Sequence, residues 1–237
     1  AVDGVLSDAT TDPEDGPRKV SAVLRAGMDD ATPADVRADA WIIRQNALRL
    51  LSALREFLDA FAGPRAANLA RRVEARVEHG VPRDAVGLTA VDGIGPARAR
   101  TLATGGLHSP ADVVDAGAAE LRRAGLSEGV ADRIAENARA FPAIDVSWGA
   151  FPDEIAAGAN LMCEVTVGND GGGANVGIRV TVNGVEMTAT ETYLADAETL
   201  PVGVFGADAD ELEFVVEVTF PDEPLHPVRA TRTVTVA

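Results

Sequence analysis

The sequence predicts a two-part fold class: α-helical to about residue 142, then all-β to residue 237. Three observations predict it. Apolar residues recur at spacings of three and four through residues 34–79, the period of a helix. A glycine-rich turn ending in Pro96 interrupts the helical half at 92–95. Beyond Phe141-Pro142 apolar and polar residues alternate, the period of half-buried strands. A chain of 237 residues is long enough for two or three small domains with their own cores.

Charge is distributed unevenly. The chain carries a net charge of −16, and its 21 basic residues are 20 arginines and Lys19. Abundant Asp and Glu with a single lysine resembles the composition of proteins from extreme halophiles. In such proteins acidity reads as solvation in concentrated salt. Residues 143–237 hold 16 acidic and 3 basic residues, whereas 37–139 hold 13 acidic and 15 basic ones. The segment with the glycine turn is therefore the slightly positive part of an acidic chain. No apolar run approaches the ~20 residues of a membrane span, so no membrane partner is expected. The first residues lack the basic start and apolar core of a signal peptide, and a lone Cys163 excludes an internal disulfide. Both fit a cytoplasmic location.

Residues 1–17 are rich in Asp, Thr, Gly and Pro and read as a disordered acidic lead-in. Residues 18–81 read as a helical bundle. Lys19–Met28 is its first short helix. Thr32-Pro33 caps a long one running to Phe61, whose Val36, Ala40, Ile43, Ala47, Leu50, Leu51, Leu54, Leu58 and Phe61 form one apolar stripe. Arg37, Trp41 and Arg44 lie beside that stripe. An aromatic between arginines suits stacking on single-stranded bases; the alternative is that Trp41 only widens the core. Gly63-Pro64 breaks the helix. The next, Arg65–His79, has a core face of Ala66, Leu69, Ala70, Val73 and Val77, and a second strip with Arg65, Arg72 and Arg76.

Residues 82–142 carry the turn Val91-Asp92-Gly93-Ile94-Gly95-Pro96. Glycine admits positive φ and close backbone approach to a ligand. Pro96 suits the first helical position. The helix start then offers unpaired amides, which suit a phosphate, with Arg98 and Arg100 just beyond. The pattern resembles the hairpin of helix-hairpin-helix nucleic-acid-binding proteins. Gly125-Leu126-Ser127-Glu128-Gly129 reads as a degenerate second hairpin with a packing role. In residues 143–237, runs at 144–148, 161–167, 176–182, 185–193, 212–220 and 228–236 read as strands. Asn183-Gly184 is a favoured hairpin turn. Six or seven short antiparallel strands in this span suggest an immunoglobulin-like β-sandwich, with Cys163 facing inward among Leu161, Val165 and Val167.

Further residues carry a family resemblance: Thr32-Pro33-Ala34-Asp35, Asp39, Gln45 through Leu54, Arg71-Arg72-Val73-Glu74, His79-Gly80-Val81 and Gly93 through Arg100. With the order bundle, helix-hairpin-helix, sandwich, the chain resembles the C-terminal Brl-type (Sec-sixty-three) unit of superfamily-two helicases, of the archaeal DNA-repair and spliceosomal types. The resemblance implies a ratchet helix, here with Arg37, Trp41 and Arg44, lying across a single strand of DNA or RNA. It implies a hairpin, here Gly93, Ile94, Gly95, Arg98 and Arg100, contacting the exiting strand. It also implies helicase motor domains as partners, in cis or in trans, and protein partners for the sandwich. Arg49 stands where the archaeal enzymes carry a tryptophan.

The motor itself is missing from the sequence. No G-x-x-x-x-G-K-[ST] occurs, and the one lysine lies in Pro17-Arg18-Lys19. His79, His108, His226 and Cys163 lack zinc-ligand spacing, and no nucleophile motif is present. The expectation is a non-catalytic accessory unit without cofactor or metal. The alternative is a protein-interaction module with no direct nucleic-acid role.

Overall fold

A computed structural model describes residues 15–206 and 209–237. The lead-in expected over residues 1–17 therefore lies outside the described residues up to position 14, while Asp15-Gly16-Pro17 already belong to a helix.

The helical half runs α1 (Asp15–Met28), a 3-10 turn (Ala34–Val36), α2 (Arg37–Ala62), α3 (Pro64–His79), a 3-10 helix (Arg83–Ala90), α4 (Pro96–Thr104), α5 (Pro110–Arg123) and α6 (Glu128–Ala138). Helix ends follow local chemistry. Pro64, Pro96 and Pro110 each stand in a first turn, where a missing N–H costs nothing. Gly80 closes α3 in the left-handed conformation. Ser109 and Asp112 form a reciprocal capping box on α5. Gly117, with φ +66°, kinks α5 midway.

Among the described residues, eight strands build the C-terminal half as a β-sandwich: β1 (Ile144–Gly149), β2 (Glu154–Ile155), β3 (Asn160–Asn169), β4 (Ala174–Val182), β5 (Val185–Leu194), β6 (Ala197–Phe205), β7 (Glu211–Thr219) and β8 (Val228–Val236). One sheet has the order β1-β3-β6, the other β2-β8-β7-β4-β5. All pairings are antiparallel except β2 with β8. Asn183 and Gly184 both take positive φ between β4 and β5, as a type I′ turn requires. Cys163, Val165 and Val167 face Phe214, Val216 and Val218 in one core. Leu161 does not join them: it is exposed at the start of β3. Burial pushes the Cys163 thiol above its ordinary pKa.

A second core lies inside the hairpin segment, around Leu88, Val91, Ile94, Leu102, Val113, Leu121 and Ile134. The bundle departs from expectation. Among the described residues α2 has no buried residue at all, so its apolar stripe is not a core stripe along its whole length. On α3 the buried set is Ala67, Asn68, Ala70, Ala75 and Val77, whereas Leu69 is exposed. The rotation has a cause. This face of α3 lies on the sandwich, where Asn68 Nδ2 donates to the carbonyls of Phe220, Glu223 and Leu225. Arg65 Nε pairs with the buried Glu217 carboxylate of β7 at 3.0 Å. Glu74 of α3 pairs with Arg55 of α2 at 3.0 Å, tying the two helices together.

Candidate nucleic-acid interface

The hairpin is built from two unlike glycines. Gly93 has φ +94°, and a Cβ there would sit 3.3 Å from Ile134 of α6. That turn requires glycine. Gly95 has φ −80° and nothing within 4 Å of a Cβ position. Its side is open, so the absent side chain leaves the backbone accessible without any conformational need. Ile94 is buried among the core residues and serves as the hairpin's anchor rather than as a contact. Its N–H closes the turn on the Val91 carbonyl at 3.0 Å. From α6, Asn137 Nδ2 donates to the Asp92 carbonyl at 2.9 Å. The hairpin is thus held from both sides, with the first amides of α4 at its mouth.

The two hairpins are related position by position. Gly125 repeats the positive φ of Gly93, at +96°, and Leu126 repeats Ile94 by packing against the same core. Ser127 then stands for Gly95, and Glu128 for Pro96. An acid in the first turn of α6 satisfies the positive helix end itself and repels phosphate. The first hairpin is the one chemically fit for an anion.

The structure gathers several of the expected contact residues around one groove of about 510 Å3. Arg37, Trp41 and Arg44 come from α2, Pro96 and Arg100 from the hairpin helix α4, and His79 and Gly80 from the end of α3. Trp41 is 62 % exposed. Arg44 donates to the Glu78 carbonyl and Arg100 to that of Gly80. Both carbonyls close α3, where the helix dipole is negative and attracts cations. Arg100 also pairs with Asp30 at 3.3 Å. Each guanidinium has five N–H donors, so these bonds leave others to spare. Arg98 stands apart from the groove: its Nη1 donates back to the Gly93 carbonyl at 2.7 Å, bracing the turn.

Arg72 and Arg76 do not reach the groove. Arg72 Nη1 lies 3.1 Å from His226 Nδ1, and His226 Nε2 lies 2.8 Å from the Arg83 carbonyl. This pair ties α3 and the 3-10 helix to the loop before β8. Burial, followed by repulsion from Arg83, lowers the Arg72 pKa. Burial likewise lowers that of His226, against the raising effect of its bond to Arg83 and with Arg72 adding to the fall. Arg76 is half-buried, its Nε shielded from solvent. Among the described residues, no group of three or more His, Cys, Asp or Glu could hold a metal ion. No helix among them is long and apolar enough to cross a membrane.

Residues 86–140 match the family of SAM-like helix-hairpin-helix tandems. This span covers both hairpins and α4–α6. No curated protein sequence matches the chain. Among solved structures, the CARDB domain of a Pyrococcus furiosus protein, determined with di-metal ions, aligns over 41% of this chain and 90% of its own length. The identity is 22% and the TM-score 0.34. A β-glucosidase from Listeria innocua aligns over 40% of this chain and 16% of its own, at 15% identity and TM-score 0.29.

Proposed function

We propose that this chain is a non-catalytic accessory unit that holds single-stranded nucleic acid, and that it serves a superfamily-two helicase motor, in cis or in trans, in the cytoplasm of a halophilic archaeon. The observation that carries the reading is the shared groove. An exposed tryptophan and two arginines of one helix sit beside the start of the helix that follows an open, tandem-type hairpin. Such a groove offers a stacking surface and charged donors for phosphates, and the start of α4, with its first amides, lies at its edge. Phosphate and stacking contacts carry no base information, so DNA and RNA fit the groove alike. Without a phosphate-binding loop for ATP, the unit hydrolyses no nucleotide and relies on its motor for movement.

A second reading, a protein-interaction module, draws on the capture of Arg44 and Arg100 by backbone carbonyls. Fluorescence anisotropy with a labelled single-stranded oligonucleotide separates the two. Micromolar or weaker binding by the folded chain, without ATPase activity, is the expected result. No binding at the lowest salt that keeps the chain folded would leave the second reading.

A further inference from the structure

Helix α2 carries a longer pattern than the groove uses. Ile43, Ala47, Leu50, Leu54, Phe57 and Phe61 follow one another at intervals of four and three, the seam of a heptad repeat. Helix α1 lies along the first half of this seam, where Val20 and Leu24 share an apolar groove of about 580 Å3 with Ile43 and Ala47, and the open end of that groove reaches Leu50 and Leu54. The described part of α1 has 14 residues against 26 in α2. Among the described residues, nothing covers the second half. There Leu50 is 73 % exposed, Leu54 46 %, Phe57 58 % and Phe61 77 %.

We propose that this half-seam is where a second copy of the chain docks, α2 against α2, in an antiparallel two-fold dimer. A spacing of four and three accepts the knobs of another helix, so the occupant is helical. Ala53 and Ala60, one heptad apart, are exposed on the open flank and let a second backbone come close. Read backwards the seam is Phe61, Phe57, Leu54, Leu50. An antiparallel copy therefore sets Leu50 against Phe61 and Leu54 against Phe57, each large ring against a smaller side chain. Parallel packing would instead crowd ring on ring. The two-fold arrangement is closed, so it ends at two copies. The exposed seam offers on the order of 500 Å2 of apolar surface per copy, a large share of the ~800 Å2 that one partner contributes to a stable interface. A contiguous apolar patch of this size is at the upper end for a monomer.

Charge sets the conditions. Two chains of net charge −16 repel each other at low salt. In molar salt, where the Debye length falls to ~3 Å, that repulsion is screened while apolar burial is kept. Association through the seam therefore tightens with salt, the opposite of phosphate-driven binding.

Sedimentation equilibrium of the whole chain across potassium chloride concentrations tests this. A mass of two chains in molar salt, with a dissociation constant at least tenfold weaker at low salt, is expected. Leu50→Glu and Phe61→Glu alter exposed side chains and leave the circular dichroism spectrum unchanged. Each should weaken the dimer at least tenfold in molar salt, whereas Trp41→Ala, off the seam, should leave it intact. A wild-type chain that stays monomeric in molar salt overturns the proposal. So does a dimer that both seam variants leave unchanged.

Discussion

Asn68 Nδ2 lies 2.7 Å from the carbonyl oxygen of Phe220, and at 3.0 and 3.1 Å it also meets those of Leu225 and Glu223. One buried amide thus serves three carbonyls of the turn after β7. They lie beyond the end of β7; the Phe220 carbonyl also accepts from the Glu223 N–H at 3.3 Å, while loss of Asn68 would take a donor from the other two. Asn68→Ala should lower unfolding free energy by about 1–3 kcal/mol, the usual cost of stranding buried acceptors. Urea denaturation followed by circular dichroism reads the change. Asn68→Asp should be worse, because a carboxylate would face three carbonyl oxygens.

His226 gives the same junction a pH dependence. Its Nε2 donates to the Arg83 carbonyl while Nδ1 accepts from Arg72, a pattern only the neutral ring can make. Its pKa is lowered in the folded chain, first by burial. In the unfolded chain the ring takes a proton near its ordinary value of about 6.5. The unfolded state then binds the extra proton, so stability is full above that value. It declines as pH falls from there through the lower folded pKa. Urea midpoints at about pH 7.5 and about pH 5.5 should show a loss for the wild type that is smaller in His226→Gln. Equal losses in both chains would place the titration elsewhere.

How much of this was legible in the sequence depended on whether the signal is local. The hairpin was, because a positive φ at Gly93 and the helix start at Pro96 are properties of a few adjacent residues. The strands were too, except β6 and the two-residue β2, which is too short to show an alternation. Pro201 argues against a strand at 197–205, yet β6 is an edge strand, where a missing N–H breaks no ladder. The face of α3 was not legible. Apolar spacing points to Leu69, but burial there is decided by three carbonyls about 155 residues away, which favour Asn68. The stripe of α2 was correctly spaced as sequence, but spacing cannot report that α1 lies along only part of it. Of the expected contact residues, Arg37, Trp41, Arg44 and Arg100 meet in one groove, whereas Arg72 is engaged at the sandwich and Ile94 in the core.

The two hairpin glycines should respond differently to substitution. Gly93→Ala forces a Cβ into a left-handed backbone beside Ile134 and should cost about 1–2 kcal/mol of stability. The turn does not require glycine at Gly95, so Gly95→Val should fold with stability within about 1 kcal/mol of wild type. If a phosphate approaches the start of α4, the same valine stands in its way and should weaken oligonucleotide binding. Thermal melts and anisotropy on both variants separate stability from affinity. Undiminished affinity in folded Gly95→Val would leave the hairpin a purely structural turn.

Salt separates stacking from charge in the groove. Long-range attraction to phosphates is screened in molar salt, and counterion release no longer adds to affinity. Contacts that act at short range persist: amide donors at the α4 start and stacking on Trp41. Stacking on an aromatic contributes ~1–3 kcal/mol per base by alanine substitution. Trp41 is exposed in the groove, so Trp41→Ala should leave stability nearly unchanged while weakening binding by that amount. Arg98, by contrast, already donates to the Gly93 carbonyl and lies off the groove lining. Trp41→Ala should therefore lose more affinity at high salt than Arg98→Ala, and the wild-type salt slope should be shallow because few phosphates are neutralised. Binding titrations of both variants across potassium chloride concentrations check this. Wild-type affinity in Trp41→Ala, with binding abolished in Arg98→Ala, would move the contact from the helix to the hairpin and remove α2 from the nucleic-acid path.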